Sequence, residues 1–282
     1  MISAKAKVCG VMAYPVEHSL SPLMHNFFAG EMGIDFVYVP FKVQTECVED
    51  AVKGAFALNL AGMNVTVPHK QRVIPWVKEM DPAAKAIGAV NTLVRTEDGF
   101  KGYNTDAGGL SRAMGEFGMT IEGKDWILIG AGGAAKAAAY VLGSRDANTV
   151  VILNRDEYKA RELADETNRR FGREFVTAAA LNDWRKLPDR EWQAIQTTSV
   201  GMYPHGGQAP VEDPAFYRNI SRAMDVIYTP ARTRFALLVE EAGGQAAGGL
   251  DMLIYQGAEA FQLWNPGTVI PEEVIKEARI LT

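Results

Sequence analysis

The sequence predicts an α/β protein with largely parallel sheets, organised as two domains. Strand-like apolar runs alternate with helix-like segments along nearly the whole chain, which is the pattern of sheets flanked by helices. A length of 282 residues exceeds what one ordinary hydrophobic core takes in, so about two domains are expected. A glycine-rich turn, Gly130–Ala135, follows an apolar strand and opens a helix. This turn indicates a second α/β unit in the middle of the chain.

The first hundred residues predict an N-terminal α/β domain with a mostly parallel sheet. The segment KVCGVMAYP is predicted to be a strand and SPLMHNFFAGEMG a helix. In that helix Ser21 is a good N-cap, Pro22 stands at the first helical position and Gly33 provides the stop. The strand IDFVYVPF, a helix from about Thr45 to Leu58 and the strand GMNVTVP follow.

A β-hairpin is predicted where NTLVR and FKGYNTD flank a turn. If Asp98-Gly99 forms a two-residue loop, Asn91 lies opposite Asp106. A loop one residue earlier places Asn91 opposite Asn104 instead. Either register brings Asn91 close to the segment that contains Asp106.

The second half predicts a Rossmann unit. The helix AGGLSRAMGEFG leads into strand WILIG, the glycine-rich turn, helix KAAAYVLG and strand TVVIL, and strands QAIQTTSV and AMDVIY follow. No long linker separates the two halves. We therefore expect a first domain over residues 1–106 and a second over residues 107–249.

Composition and charge limit the classes of function. The chain is 48% hydrophobic and 22% charged, as in compact soluble proteins. A net charge of -5 argues against a partner that is nucleic acid or a membrane surface, because polyanion binding needs a basic field. Two cysteines, Cys9 and Cys47, are typical of a reducing compartment. We expect a cytoplasmic globular protein with no membrane span.

The histidines give no sign of a metal site. His18, His25, His69 and His205 show no metal-binding spacing. His69 precedes Lys70, but adjacent side chains on an extended chain point to opposite sides. No nucleophile elbow is present either, so we expect no metal and no acyl-transfer chemistry.

The glycine-rich turn predicts a dinucleotide site, since it satisfies G-x-G-x-x-G/A with Ala135 in the last place. Small residues let the chain turn sharply and approach a pyrophosphate, and the helix N-terminus offers N–H groups to the anion. The residues that precede Ala135 in the motif are Gly130, Ala131, Gly132, Gly133 and Ala134.

The end of the next strand favours NADP over NAD. Proteins that bind NAD usually carry an acidic residue there, which holds the ribose hydroxyls. Here Asn154 and Arg155 occupy the place, and a guanidinium suits a 2′-phosphate. Asp156 and Glu157 follow directly and leave NAD possible. The alternative for Arg155 is an ordinary surface residue.

Several polar residues of the first half are candidates for chemistry, each with a plainer interpretation. Lys70 follows a strand end as a loop lysine would, and Ser21 and Asp106 stand where helix caps are expected. However, Ser19 and Ser21 at a helix N-terminus also suit a carboxylate. A lysine beside a carboxylate can hold a substrate hydroxyl while a proton moves and a nicotinamide exchanges the hydride.

Taken together, these segments resemble the shikimate dehydrogenase family, including its quinate/shikimate dehydrogenase members. SLSPLMHN, NVTVPHK, GAVNTL and GYNTD match the family's N-terminal motifs in order, and GAGGA matches its nucleotide loop. DVIYTPARTRF and GGLDMLIYQGAEAF match its late motifs. The resemblance covers nearly the whole chain. It implies NADP-linked, reversible reduction of 3-dehydroshikimate to shikimate in aromatic amino acid and chorismate biosynthesis.

The resemblance also implies roles for individual residues. Lys70 is the proton-transfer residue, paired with Asp106, and Ser19 and Ser21 hold the substrate carboxylate. C-terminal helices over residues 250–282 complete the first domain. Further contacts to the substrate come from Thr66, Asn91, Asp106, Tyr228 and Gln256. The cofactor contacts are Gly130, Ala131, Gly132, Gly133, Ala134, Asn154, Arg155, Val226 and Gly249.

Two departures from the family pattern leave alternatives open. The family's Asn-Ala-Thr-Ser segment is Gln196-Thr197-Thr198-Ser199 here, and its Asn-Arg-Thr is Asn154-Arg155-Asp156. The acidic Asp156 resembles members that accept NAD or oxidise quinate. A quinate/shikimate dehydrogenase is therefore the alternative function, and a non-catalytic nucleotide-binding regulator a remote one. We expect a monomer or a homodimer.

Overall fold

The computed structural model describes residues 2–203 and 206–281. The chain divides into two compact units, and each is α/β. Residues up to Gly109 and from Ile254 onward form the first unit, and Leu110–Leu253 form the second. His205 lies outside the described residues.

The elements before the glycine-rich turn are short, with no strand longer than 7 residues and no helix longer than 11. The strands are β1 (Lys7–Ala13), β2 (Phe36–Lys42), β3 (Gly62–Val65), β4 (Glu79–Met80), β5 (Thr92–Arg95), β6 (Phe100–Tyr103) and β7 (Asp125–Ile129). The helices are α1 (Ser21–Glu31), α2 (Val48–Ala57), α3 (Pro82–Ile87) and α4 (Asp106–Glu116).

In the rest of the chain the strands are joined by α-helices or by 3₁₀ segments, which are Leu181–Lys186 and Pro214–Tyr217. The strands are β8 (Thr149–Asn154), β9 (Val176–Ala180), β10 (Trp192–Gln196), β11 (Ile220–Asp225) and β12 (Gln245–Ala247). The helices are α5 (Gly133–Ser144), α6 (Glu157–Phe171), α7 (Arg234–Glu241), α8 (Leu250–Trp264) and α9 (Glu272–Leu281).

The sheet of the first unit is mixed, with strand order β2-β1-β3-β5-β6-β4. Strand β1 pairs in parallel with β2 and β3, and β4 pairs in parallel with β6. Strand β5 runs antiparallel to both of its neighbours. The hairpin thus interrupts a sheet that we expected to be mostly parallel. Apolar side chains of α2, such as Val48 and Val52, pack against Met12, Met63 and Leu93 of this sheet.

The sheet of the second unit is wholly parallel and has the order β12-β11-β10-β7-β8-β9. This is the doubly wound Rossmann order, and the prediction of a Rossmann unit is confirmed. The strand order reverses at β7. The glycine-rich turn follows β7 at its carboxyl end, where open α/β sheets bind ligands.

Two local predictions were wrong, and the structure has the second of the two predicted hairpin registers. Leu20, not Ser21, is the N-cap of α1, so Ser21 is already helical and Pro22 is one position further in. The segment Thr45–Cys47 is a 3₁₀ turn that precedes α2. In the hairpin, Arg95 pairs with Phe100 and Asn91 falls opposite Asn104. The two-residue loop is therefore one residue earlier than Asp98-Gly99.

No helix within residues 2–203 and 206–281 is long and apolar enough to cross a membrane.

Candidate active site

Lys70 lies in a turn after β3, where its backbone bonds to the segment that precedes β5. Its carbonyl accepts a hydrogen bond from the Val90 amide over 2.8 Å. The preceding side chain points the other way, since His69 Nε2 lies 2.8 Å from the Val43 carbonyl and is buried. Burial lowers the pKa of His69. This geometry agrees with the expected divergence of adjacent side chains and leaves Lys70 to face polar groups.

The first polar group that faces Lys70 is a carboxylate. Lys70 Nζ donates to Asp106 Oδ2 over 2.5 Å, and the two side chains are 15% and 6% exposed. Asp106 is the first residue of α4, so its carboxylate lies at a helix N-terminus, where negative charge is stabilised. Asn91 Nδ2 donates to the other carboxylate oxygen over 2.9 Å. The structure therefore brings Lys70, Asn91 and Asp106 together, far apart though they are in sequence.

Asn91 is the centre of this cluster, because it contacts most of the other members. Its Oδ1 accepts from the Thr105 amide over 2.8 Å, and its Nδ2 lies 2.9 Å from Thr105 Oγ1. Its Nδ2 also lies 3.3 Å from Gln256 Oε1 on α8. Both Asn91 and Gln256 are buried. Gln256, expected only from the resemblance, is thus part of the same cluster as Asp106.

The serines and Thr66 lie at the ends of neighbouring elements of the same unit. Ser19 Oγ accepts from the Ser21 amide over 3.3 Å, so the two serines form one polar turn before α1. Ser21 is nearly buried and Ser19 is half-buried. Thr66 directly follows β3, and its amide donates to the Met12 carbonyl over 3.1 Å. The structure thus brings Ser19 and Ser21 together, and it places Thr66 in the segment that leads from β3 to Lys70.

Sequence reasoning missed four buried polar residues of this unit: Tyr38, Asn64, Thr92 and Thr105. Asn64 and Thr92 pair across β3 and β5, and Thr105 bonds to Asn91. A signal was present, because Asn64 interrupts an apolar strand, and a buried polar group needs a partner. The partners come from other strands, which one strand's sequence does not show.

In the second unit, the glycine-rich turn has little space on one side and open space on the other. Gly130 has φ +113°, and a Cβ there would lie 2.5 Å from Thr197 Oγ1. Thr197 Oγ1 donates to the Ile129 carbonyl over 2.7 Å. A Cβ on Gly132 would meet nothing within 4 Å. The turn is therefore packed tightly against the segment after β10 and is open at Gly132.

This turn fits the pyrophosphate of a dinucleotide. Gly132 is the N-cap of α5 and supplies no side-chain hydrogen bond to the helix. The first-turn N–H groups of an α-helix have no partner within the helix, so they are donors for an anion at this end. Ala131, Gly133 and Ala134 are partly exposed. The last four of the five predicted residues thus form one small-residue surface at a helix N-terminus, and the buried Gly130 precedes them.

The three residues at the end of β8 differ in the contacts that they make. Asn154 closes the strand, and its Nδ2 donates to the Asp156 carbonyl over 2.9 Å. Asp156 is the N-cap of α6, and its Oδ1 accepts from the amides of Tyr158 and Lys159 over 3.1 and 3.4 Å. Arg155 is exposed, and no hydrogen bond or ion pair engages it within residues 2–203 and 206–281. Asp156 is therefore committed to the helix, whereas Arg155 is available to a phosphate.

Val226 and Gly249, predicted as cofactor contacts, touch one another. A Cβ on Gly249 would lie 2.2 Å from the Val226 carbonyl oxygen, and the Gly249 amide donates to the Ile227 carbonyl over 2.9 Å. Only glycine fits so close to the chain after β11. Tyr228 follows in this segment, three residues beyond the strand end and half-buried. Tyr228 belongs to the second unit, whereas the other predicted substrate residues belong to the first.

The unusual Gln196 is part of a buried network at the ends of β10 and β11. Its Nε2 lies 3.3 Å from Asp225 Oδ1 and also donates to the Thr198 carbonyl over 3.2 Å. Thr233 Oγ1 donates to Asp225 Oδ2 over 2.6 Å. Burial raises the pKa of Asp225 to about 6, although the hydrogen bonds from Thr233, Ile227 and Gln196 oppose the rise. Gln196, which departs from the family pattern, therefore hydrogen-bonds within the segment that contains Thr197 and Thr198.

No group of three or more His, Cys, Asp or Glu side chains that suits a metal ion occurs in the described ranges 2–203 and 206–281.

Three family models match the chain in order along its length. They describe a shikimate dehydrogenase substrate binding domain over residues 11–93, a shikimate/quinate 5-dehydrogenase over residues 112–186 and a shikimate 5′-dehydrogenase C-terminal domain over residues 249–278. These ranges include Lys70, Asn91, Gln256 and the glycine-rich turn, whereas Asp106 lies between the first two of them.

Individual proteins match over almost the full length. The chain is 41% identical over 281 residues to a shikimate dehydrogenase (NADP(+)) of Desulforamulus reducens, and the match covers 98% of this chain and 95% of that protein. A crystal structure of a shikimate dehydrogenase in complex with NADP+ has a TM-score of 0.89 and 37% identity, covering 99% of this chain and 96% of the other.

A second solved structure is similar in the same way. It is a shikimate 5-dehydrogenase of Listeria monocytogenes in complex with shikimate and NAD, with a TM-score of 0.85 and 32% identity. The match covers 100% of this chain and 98% of that one.

Proposed function

Because this chain belongs to the shikimate dehydrogenase family, we propose that it catalyses the reversible, NADP-dependent reduction of 3-dehydroshikimate to shikimate. The contact between Lys70 and Asp106 is the single observation that supports this function most strongly. A lysine that bonds a carboxylate at a helix N-terminus is equipped to move a proton, and both members are in place. A non-catalytic regulator would need neither.

The reaction needs a proton at the oxygen of the substrate carbonyl. When bound, the nicotinamide supplies the hydride that reduces the carbonyl carbon, and takes it back in the oxidation. Lys70 Nζ gives its proton to the carbonyl oxygen in the reduction and removes it from the hydroxyl in the reverse direction. Asp106 holds Lys70 in position, and Asn91 fixes the second oxygen of that carboxylate. These contacts orient the proton donor before substrate arrives.

The substrate carries a carboxylate and hydroxyls, and we assign polar groups to each. The hydroxyls of Ser19 and Ser21 beside the α1 N-terminus hold the carboxylate. The substrate hydroxyls contact a second set of residues, which are Thr66, Asn91, Asp106, Tyr228 and Gln256. The first unit, with residues 1–106 and 250–282, is on this proposal the substrate domain.

The second unit, residues 107–249, is proposed to bind NADP. Residues Gly130 to Ala134 take the pyrophosphate, Arg155 with Asn154 takes the 2′-phosphate, and Val226 and Gly249 line the remainder. Commitment of the Asp156 carboxylate to the cap of α6 favours NADP, because that charge then opposes the phosphate less. We propose a cytoplasmic enzyme, monomeric or homodimeric, and light scattering distinguishes these two states.

One specific feature supports a second candidate, a quinate/shikimate dehydrogenase that also uses NAD. Asp156 stands where strictly NADP-linked sequences carry threonine, and a ribose hydroxyl is a suitable partner for a carboxylate. On this alternative the carboxylate leaves the α6 cap when NAD binds.

The test is a steady-state assay of the purified protein with shikimate or quinate and with NADP or NAD, followed by the absorbance of the reduced cofactor. We expect the largest kcat/KM for shikimate with NADP. Comparable values for quinate with NAD would favour the second candidate. Absence of turnover in all four combinations would contradict both.

A further inference from the structure

A chain of buried side-chain hydrogen bonds crosses the first unit and ends on the carboxylate of Asp106. The Tyr38 hydroxyl donates to Asn64 Oδ1 over 2.6 Å, and Asn64 Nδ2 donates to Thr92 Oγ1 over 3.0 Å. Thr92 Oγ1 donates to Asn91 Oδ1 over 3.0 Å, and Asn91 Nδ2 donates to Asp106 Oδ1 over 2.9 Å. The proposed function uses only the last two of these residues.

Every donor in this series of hydrogen bonds points towards Asp106. Asn64 Nδ2 also lies 3.3 Å from the Asn91 carbonyl, which only accepts, so the amide orientation of Asn64 is fixed. Its Oδ1 then only accepts, and Tyr38 must donate to it. The Thr92 hydroxyl accepts from Asn64, and its own hydrogen goes to Asn91 Oδ1 at 3.0 Å, which is nearer than Thr105 Oγ1 at 3.4 Å. Hydrogen bonds aligned in this way polarise one another, and the charge on Asp106 reinforces the direction.

His25 packs at the end of this hydrogen-bond series that is farthest from Asp106. Its Nε2 lies 3.2 Å from Asn64 Oδ1, so Nε2 carries the hydrogen. Burial lowers the pKa of His25 to about 3, and the ring is neutral. The ring stacks on Tyr38 with centroids 4.3 Å apart. Burial raises the pKa of Tyr38, which therefore stays a neutral donor.

Thr92 is the link that cannot touch a substrate. It is 0% exposed, and Asn64 is 6% exposed. The Asn91 oxygen that Thr92 contacts also accepts from the Thr105 amide over 2.8 Å. The Thr92 hydroxyl, added to the donors of Thr105, holds the amide plane of Asn91 more firmly, so that its Nδ2 stays on Asp106.

We infer that Thr92 and Asn64 are positioning residues for proton transfer, an inference that rests on the proposed function. They fix which way the Asn91 amide faces, and through it the place of the Asp106 carboxylate beside Lys70. Without the Thr92 hydroxyl, Asn64 Nδ2 keeps only its longer bond to the Asn91 carbonyl, and Asn91 Oδ1 keeps only its bonds from Thr105.

The first test is Thr92→Val, which keeps the shape of the side chain and removes the hydroxyl. We expect kcat with shikimate and NADP to fall about 10-fold, the effect of one lost hydrogen bond in a buried network. KM for shikimate should change less than kcat, because Thr92 has no hydrogen bond to Ser19, Ser21 or Thr66, which are proposed to bind substrate as well. Thr92→Ser keeps the hydroxyl and should recover most of kcat. Unchanged kcat in Thr92→Val, or a serine variant as slow as the valine variant, would overturn the inference.

A matched control comes from Thr167 on α6, which is also buried and donates to the Leu163 carbonyl over 2.7 Å. Thr167→Val makes the same chemical change away from the cluster. We expect thermal stability to fall in both valine variants and kcat to fall only in Thr92→Val. An equal loss of kcat in both would mean a general structural effect and would overturn the inference.

A double-mutant cycle with Asn91→Ala shows whether Thr92 acts through Asn91. If it does, Thr92→Val has little further effect on kcat in the Asn91→Ala background. Independent, multiplying effects would overturn the inference. Wild-type protein without shikimate turnover would overturn the proposed function together with this inference, whereas an active wild type with an equally active Thr92→Val overturns the inference alone.

Discussion

In the first unit the polar atoms of the candidate site belong to side chains, whereas in the second unit they belong mainly to the main chain. Lys70, Asn91 and Asp106 are largely buried and bond to one another. The turn Gly130–Ala134 instead presents backbone at the start of α5 and depends on having no side chains. The first arrangement suits chemistry at one atom, and the second suits holding a large anion.

The largest expected effect breaks the side-chain cluster of the first unit. We expect Lys70→Ala to lower kcat by roughly 10²-fold or more, the scale of lost acid–base catalysis. NADP affinity, measured by fluorescence titration, should stay near the wild-type value, because the second unit is unchanged. Lys101 offers a matched control, since it pairs with Glu79 over 3.0 Å in the same unit. Lys101→Ala should keep normal turnover, and near-normal turnover in Lys70→Ala would refute the assignment.

The next effect concerns an exposed side chain that supplements the backbone site of the second unit. We expect Arg155→Ala to lower kcat/KM for NADP about 30-fold, because a charge-assisted hydrogen bond to the 2′-phosphate is lost. The value for NAD, which lacks that phosphate, should hardly change. Arg169→Ala, at the far end of α6, serves as the control. If Arg155→Ala weakened both cofactors equally, Arg155 would not be the reader of the phosphate.

The last effect concerns stability and not turnover, and it sharpens the comparison from within the second unit, where the carboxylate of Asp225 is buried. The pKa of Asp225 is about 6 in the folded chain, above its ordinary value of 3.8. The folded state thus binds the proton more tightly, so this group weakens folding as pH rises from about 4 through 6. The loss is fully present at neutral pH.

We expect Asp225→Asn to remove this pH dependence, which is roughly 3 kcal/mol between the two limits for a rise in pKa from 3.8 to about 6. Urea unfolding at acid and neutral pH measures the difference in the free energy of unfolding between wild type and variant. Asp165→Asn, an exposed change on α6, should follow the wild-type profile. A constant difference between wild type and Asp225→Asn would contradict the raised pKa.

The two units also differ in how much of them the sequence predicts. The turn Gly130–Ala134 and the strands around it were predicted because a composition of small residues is visible locally. Lys70, Asn91 and Asp106 were located by hairpin spacing and resemblance. The hairpin register that is observed was the second of two options, because a two-residue loop fits at either position.

Other features were not predictable because they depend on contacts between distant segments. The partners of Asn64 lie on other strands. The N-cap of α1 is Leu20 and not Ser21, because Ser21 is already the first residue of the helix. The role of Gln196 depends on Asp225, which lies on the neighbouring strand β11. In each case the sequence shows a polar residue, and only the fold shows what satisfies it.

The hairpin β5–β6 has a consequence for the entropic cost of bringing the site residues together. Asn91 and Asp106 are 15 residues apart and are joined by a tight loop, whereas Lys70 is 36 residues from Asp106. Closing a short segment costs less chain entropy than closing a long one. The contact between the carboxylate and its amide partner therefore costs less chain entropy than the contact with the ammonium, which also needs β3 beside the hairpin.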